Sequence, residues 1–263
     1  MKFKIFLTMM LALAGMITSV EGQEQWNEYR ANHFIIYYKN VPQDFVKTVE
    51  QQAEYYYQEI TDNLGFRRFT TWTFDERAKI YIYDDQDDYI KSARELHWSH
   101  GAANTKTKTI RTFPSAHGFF DSTLPHELGH IIFREFVGPL ADIPLWFEEG
   151  VAMYQEKAKR WGARKAVQKA IAEGKFIPLK ELSHTLLTSN TDKNLVNLYY
   201  AEAASVVYFM ITELGQFRFV SLCRNLQSGQ KFDNALQLTY IRFESIDDLN
   251  AAWLKNLKDN HGK

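Results

Sequence analysis

HELGH occupies residues 126–130 and is followed after eighteen residues by Glu149, within LWFEEG at residues 145–150. In an α-helix, residues i and i+4 lie on the same face, so the rings of His126 and His130 can point at one location. Two imidazoles at this spacing, with a glutamate directly after the first, form the zinc-binding pattern H-E-x-x-H. The spacing therefore predicts a metal site on a helix.

Each acidic residue of the pattern has an expected role. Glu127 lies beside the two rings and is expected to act as a general base toward a zinc-activated water. A catalytic zinc needs three protein ligands and one open position, and Glu149 is the predicted third ligand. Zn²⁺ is accordingly the expected cofactor.

A lone H-E-x-x-H match also arises by chance, and two helical histidines can be ordinary surface residues. Helix signals around the motif argue against chance. Residues 121–123 offer Asp, Ser and Thr as N-caps, Pro125 falls in the first turn, and Gly138 is expected to end the helix. A second helix is expected to begin with Asp142 as its cap and Pro144 in its first turn.

Together with LWFEEGVAMYQE at residues 145–156, these motifs resemble the gluzincin clan of zinc metallopeptidases, in particular the peptidase MA-like group of bacterial proteins. The segment LWFEEGVA is similar to LWLNEGFA of the alanyl aminopeptidase family. YAEAASVVY at 200–208 and GQKFDNA at 229–235 extend the likeness over most of residues 30–258. The resemblance implies an α+β, thermolysin-like zincin fold. An N-terminal lobe of sheet and helix would precede an all-helical lobe, with the active-site helix between them.

The resemblance also implies a set of functional residues. Its zinc ligands map onto His126, His130 and Glu149, and its general base maps onto Glu127. Tyr200 is the expected donor to the oxyanion, because the resembling families place a tyrosine on a downstream helix. Tyr199 and His184 are alternative donors, and Tyr200 could equally be a packing residue.

The sequence departs from the resembling families at two places. Thermolysin-type enzymes carry an aspartate four residues after the glutamate ligand, where this chain has Met153. Alanyl-type aminopeptidases carry a glutamate that binds the substrate amine, and residues 101–104, Gly-Ala-Ala-Asn, contain none. The second departure favours cleavage of internal bonds over removal of amino-terminal residues.

Several other polar residues near the motif are weaker candidates. Glu148 is expected to point about 100° away from Glu149 on the helix, outside the ligand set. For Glu156 a surface position is expected, with contact to a ligand as the alternative. The remaining weak candidates are solvated loop histidines without ligand spacing, namely His97, His100 and His117.

Residues 1–22 are predicted to be a secretory signal peptide. Lys2 and Lys4 precede an apolar run from Ile5 to Val20, which is shorter than the ~20 residues of a membrane span. Removing this segment takes the net charge from −1 to −2 and gives no reason to expect nucleic acid as a partner. The single cysteine, Cys223, excludes an internal disulfide and is expected to be a buried, inert thiol.

The rest of the chain, residues 23–263, is predicted to be one metallopeptidase domain. Strands are expected at 33–38, 79–83 and 107–113, and residues 101–104 could add a strand at the edge of the sheet. Helices are expected at 42–64, 87–96, 144–158, 160–173, 194–214, 216–227, 231–239 and 245–257. This order favours an α+β lobe at about 30–140 and a helical lobe at about 141–258. Although 194–212 is apolar enough to suggest a membrane span, Glu202 favours a buried core helix.

The sequence therefore predicts an exported, periplasmic or extracellular, zinc-dependent metallopeptidase that acts on a peptide or protein. No stable membrane insertion is expected once the signal is removed. Two alternatives remain open. One is a zinc-bearing protein that binds peptides without cleaving them, and the other is a zinc hydrolase of cell-wall or glycoprotein substrates.

Overall fold

The computed structural model describes residues 26–66, 72–93, 101–114, 118–188 and 190–259, without the side chains of residues 160 and 161. The predicted signal peptide lies outside these ranges. So do the three weak histidine candidates, His97, His100 and His117.

The described strands form one five-stranded mixed sheet in the first half of the chain. In chain order they are β1 Asn27–Arg30, β2 Phe34–Tyr38, β3 Ala78–Ile82, β4 Ala102–Asn104 and β5 Thr109–Thr112. Their order across the sheet is β1-β2-β3-β5-β4. The three central strands are parallel, and the two outer strands pair antiparallel to their neighbours. The short strand β4 thus lies at an edge of the sheet, as its sequence suggested.

Ten helices accompany the sheet within the described ranges, and most were expected from the sequence. They are α1 Gln43–Leu64, α2 Gln86–Ala93, α3 Leu124–Val137, α4 Leu145–Gln155, α5 Lys157–Ala172, α6 Leu179–Leu182, α7 Lys193–Tyr208, α8 Gln216–Gln227, α9 Phe232–Thr239 and α10 Ile246–Asp259. After β5 the described elements are all helical. The prediction of an α+β fold is confirmed.

The two helices that carry the motifs begin differently from the sequence prediction. A π-helical turn, Phe119–Thr123, runs directly into α3, so Thr123 is already helical and caps nothing with its side chain. Helix α4 begins after Pro144, again without a side-chain cap. The predicted capping roles of Asp121, Ser122, Thr123 and Asp142 are therefore wrong. Helix α3 instead continues from the π-helical turn, and α4 begins after a proline whose ring fixes φ.

Helix α7 continues through a π-helical turn to Glu213, and Lys193–Glu213 is long and apolar enough to cross a membrane. By length and composition it is the one such segment in the described part of the chain. It packs against α4 and α5 and buries Glu202 completely. These contacts agree with the expected core helix of a folded domain.

Candidate metal centre and cleft

The three predicted zinc ligands lie together where α3 meets α4. The Nε2 atoms of His126 and His130 are 3.1 Å apart, and Glu149 Oε2 lies 3.7 Å from the first and 3.8 Å from the second. Two ligands about 2.1 Å from a tetrahedral ion are separated by about 3.4 Å, so these distances bracket the value that a zinc site requires. The residues present therefore fit a metal ion held by two nitrogens and one oxygen.

The outer nitrogen of each histidine faces a carboxylate. His126 Nδ1 lies 2.9 Å from Glu156 Oε1, and His130 Nδ1 lies 3.7 Å from Glu148 Oε1. A carboxylate at Nδ1 favours the tautomer with its proton there, which leaves a lone pair on Nε2. The two Nε2 atoms face each other at 3.1 Å, a separation that either a shared proton or a metal ion between them accommodates.

Glu156 holds the first histidine, and the expected surface position for this residue is wrong. Only 1% of Glu156 is exposed, and its carboxylate accepts hydrogen bonds from His126, Ser122 and Lys159. These donors lower the pKa of Glu156 against the opposing effect of burial, so the side chain remains charged. Glu156 lies seven residues after Glu149, nearly two helical turns, and this spacing was the available signal in the sequence.

Glu148 occupies the corresponding position at the second histidine, but its 3.7 Å contact with Nδ1 is longer than a hydrogen bond. It points away from Glu149, as expected, yet its carboxylate is bound by Arg134, with Nε at 2.7 Å. Although burial opposes the change, the contact with His130 and the hydrogen bonds from Arg134 lower the pKa of Glu148 to about 2. Arg134 lies one turn after His130 on α3, and sequence reasoning missed it.

Glu127 lies beside the three ligands and lines the adjacent cleft. Burial raises the pKa of this carboxyl, and the carboxylates of Glu149 and Glu156 add to the rise, while the two histidines oppose it. A raised carboxyl pKa suits a group that must take up a proton and release it near neutral pH. Glu127 thus lies next to the three ligands, and its role as a general base stays a prediction.

The cleft is about 840 Å³ in volume and runs from the start of α3 and β4 to α5 and α7. Its lining residues are Gly101, Ser122, Thr123, His126, Glu127, Met153, Glu156, Ala158, Lys159, Gly162, Ala163, Ala166, Asn197, Tyr200 and Ala201. Gly101 precedes the edge strand β4, so an extended chain in the cleft would lie near a strand edge.

The three predicted oxyanion donors occupy different places. Tyr200 lines the cleft with Glu127, and burial together with the charge of Glu149 raises its pKa to about 12, so its hydroxyl keeps its proton at neutral pH. Tyr199 is fully buried, and its hydroxyl has no partner among the described residues. His184 lines a separate cavity beside α6 and α9. The geometry favours Tyr200.

Comparison with known families identifies the superfamily of this chain. A model of the peptidase MA superfamily matches residues 65–259. The chain belongs to the peptidase MA superfamily. Among curated proteins, none gives a significant match to this chain.

Two glycines let the helices of this peptidase MA domain approach closely enough to assemble the ligands. A Cβ at Gly129, between the histidines, would lie 3.1 Å from the Cα of Ala152 on α4. A Cβ at Gly150, directly after Glu149, would lie 2.4 Å from the carbonyl oxygen of Ala203 on α7. No side chain fits at the second position, so α4 and α7 can pack this closely only through a glycine.

Proposed function

We propose that this protein is an exported, zinc-dependent metallopeptidase that hydrolyses internal peptide bonds. The observation that carries the proposal is the convergence of His126, His130 and Glu149 at metal-binding distances, beside Glu127 in an open cleft. Membership of the peptidase MA superfamily supports peptidase activity. The α+β half and the helical half are proposed to form the two lobes of a thermolysin-like zincin, within one domain at residues 23–263.

The residues of the site have complementary roles in this mechanism. Zinc, when bound, lowers the pKa of water toward ~7 and polarises the carbonyl of the scissile bond. Glu127 accepts the proton of the attacking water and later donates a proton to the leaving amine. Tyr200 donates a hydrogen bond to the oxygen on which negative charge develops. Glu148 and Glu156 hold the two imidazoles in place.

Metal analysis of purified mature protein, with hydrolysis of a quenched fluorescent peptide, tests the proposal. We expect one zinc per chain. Glu127→Gln is expected to retain zinc and to lose at least ~10³-fold in kcat, since it removes the proton carrier. His130→Ala should lose both zinc and activity. The proposal would be refuted if the protein retained no zinc after dialysis against a zinc-containing buffer. It would also be refuted if the Glu127→Gln variant were as active as the parent.

Internal cleavage is tested with one peptide in two forms. Among the described residues at 101–104 no carboxylate is available to bind a free amino terminus. We therefore expect a free peptide and its amino-terminally acetylated twin to be cut at the same bond with similar kcat/KM. Loss of cleavage on acetylation would show an aminopeptidase instead.

A further inference from the structure

Helix α5, which forms one wall of the cleft, is strongly basic. Between Lys157 and Ala172 it carries six basic residues and no acidic one, in a chain whose net charge is −1. The basic residues are Lys157, Lys159, Arg160, Arg164, Lys165 and Lys169. Positive charge is thus concentrated on an element that borders the catalytic centre.

Three of these lysines lie on or beside the cleft face of the helix. Lys159 lines the cleft, and its side chain is 52% exposed although its amine also contacts Glu156. Lys165 and Lys169 follow the cleft residue Gly162 by three and seven positions, which places them on the same side of α5. Lys165 has no ion-pair partner within the described ranges, and Lys169 is only loosely paired, at 3.7 Å from Glu173.

Apart from Lys159, the described side chains that α5 presents to the cleft are small. Ala158, Gly162, Ala163 and Ala166 form this face, and a Cβ at Gly162 would meet nothing within 4 Å. Lys159 and Lys169 are ten residues apart, or ~15 Å along the helix. An extended peptide covers that length with about four or five residues.

We propose that the α5 wall selects substrates with acidic side chains near the cleaved bond. This inference rests on the proposed peptidase function and names the class of its substrates. Lys159 lines the cleft near Glu127 and Glu156, whereas Lys165 and Lys169 are exposed on α5 beside it, where the flanking side chains of an extended peptide would lie. The net charge of −1 does not attract large polyanions. These features favour an acidic peptide over nucleic acid or an anionic membrane.

Binding to the inactive Glu127→Gln protein, loaded with zinc, tests the selection without turnover. The probe is a fluorescent peptide with three glutamates on one side of its central bond, compared by anisotropy with its glutamine twin. Exposed charge pairs contribute modestly, so about three- to tenfold tighter binding of the acidic peptide is expected at low salt. The preference should disappear near ~0.5 M salt, where screening is strong.

The test variant is Lys165→Glu with Lys169→Glu. Its control is Lys47→Glu with Lys91→Glu, two exposed lysines on α1 and α2 that do not line the cleft, so both variants change the net charge equally. The variant with Lys165→Glu and Lys169→Glu should lose or reverse the preference for the acidic peptide, and the control variant should keep it. Equal binding of both peptides by the parent, or equal loss in both variants, overturns the proposal. Tighter binding of single-stranded DNA or phosphatidylserine vesicles also overturns it.

Turnover by the active enzyme separates this inference from the proposed function. Cleavage of the glutamine twin as efficiently as the acidic peptide would overturn the selection and leave the peptidase intact. Lysine-dependent binding without cleavage of either peptide would refute the peptidase, and the preference of the cleft for acidic peptides would stand.

Discussion

The two sides of the candidate metal centre use the same arrangement in different surroundings. On each side a glutamate lies between a histidine and a cation: Glu148 between His130 and Arg134, and Glu156 between His126 and Lys159. The Arg134 side chain is 19% exposed, whereas that of Lys159 is 52% exposed at the cleft. One histidine therefore lies beside a mostly buried ion pair, and the other lies beside an ion pair that is open to the cleft.

Breaking the buried side should have the largest effect. Glu148→Gln leaves Arg134 without its counter-ion in a mostly buried position, so we expect a loss of about 3 kcal/mol in the free energy of unfolding. Zinc affinity should also fall up to ~100-fold, because His130 loses its orienting carboxylate. Urea unfolding and competition with a zinc chelator measure the two quantities. A variant as stable as the parent would contradict the prediction.

Removing the carboxylate of Glu156, on the side open to the cleft, should lower zinc affinity more than it lowers stability. Glu156→Gln is expected to lower zinc affinity ~10- to 100-fold through His126. The free energy of unfolding should change by only about 1 kcal/mol, since Lys159 can turn to solvent. Chelator competition and urea unfolding are again the measurements. Equal destabilisation by this variant and by Glu148→Gln would show that the two sides do not differ.

Glu202 differs from Glu148 and Glu156, because it is a buried carboxyl with no cationic partner among the described residues. It accepts a hydrogen bond from the Ile177 amide, and burial raises its pKa from 4.5 to about 8. The folded state therefore binds this proton more tightly than the unfolded chain. Its contribution to stability is fully present below pH 4.5 and is lost as the pH rises toward 8.

Glu202→Gln should remove this dependence. Between pH 5 and pH 7 we expect the parent to lose about 2 kcal/mol more in the free energy of unfolding than the variant does, since one pKa unit corresponds to about 1.4 kcal/mol. Urea unfolding at the two pH values measures the difference. If the free energy of unfolding changed equally with pH in both proteins, Glu202 would not be the group that binds this proton.

The smallest expected effect concerns one donor on the open side. Ser122 donates to the Glu156 carboxylate, which keeps two further donors when that hydroxyl is removed. Ser122→Ala should therefore weaken zinc binding only about two- to fivefold, the equivalent of one hydrogen bond. A loss as large as that of Glu156→Gln would make Ser122, and not the carboxylate, the main support of His126.

The sequence was most informative where residues contact near neighbours along the chain. His126 and His130 share a helix face by their spacing, and the α+β order of elements followed from β-branched strands and amphipathic helices. For Glu156 the sequence favoured a surface position over contact with a ligand, and the role of Lys159 was missed, because both depend on how α4 ends and α5 begins. The N-caps predicted for α3 were wrong because nothing in the sequence distinguishes the π-helical turn before this helix from a capping segment.

The close contact at Gly150 indicates that the helices pack before the site can be complete. Helix packing through Gly129 and Gly150 brings the three ligand side chains together, in a core to which the described part of the chain contributes about sixty buried apolar residues. Small zinc domains differ, because their unfolded chains fold only around the ion. In this protein we expect the ion to bind reversibly after the helices have packed. A chelator should therefore inactivate the molecule without unfolding it, and added zinc should restore it without a refolding step.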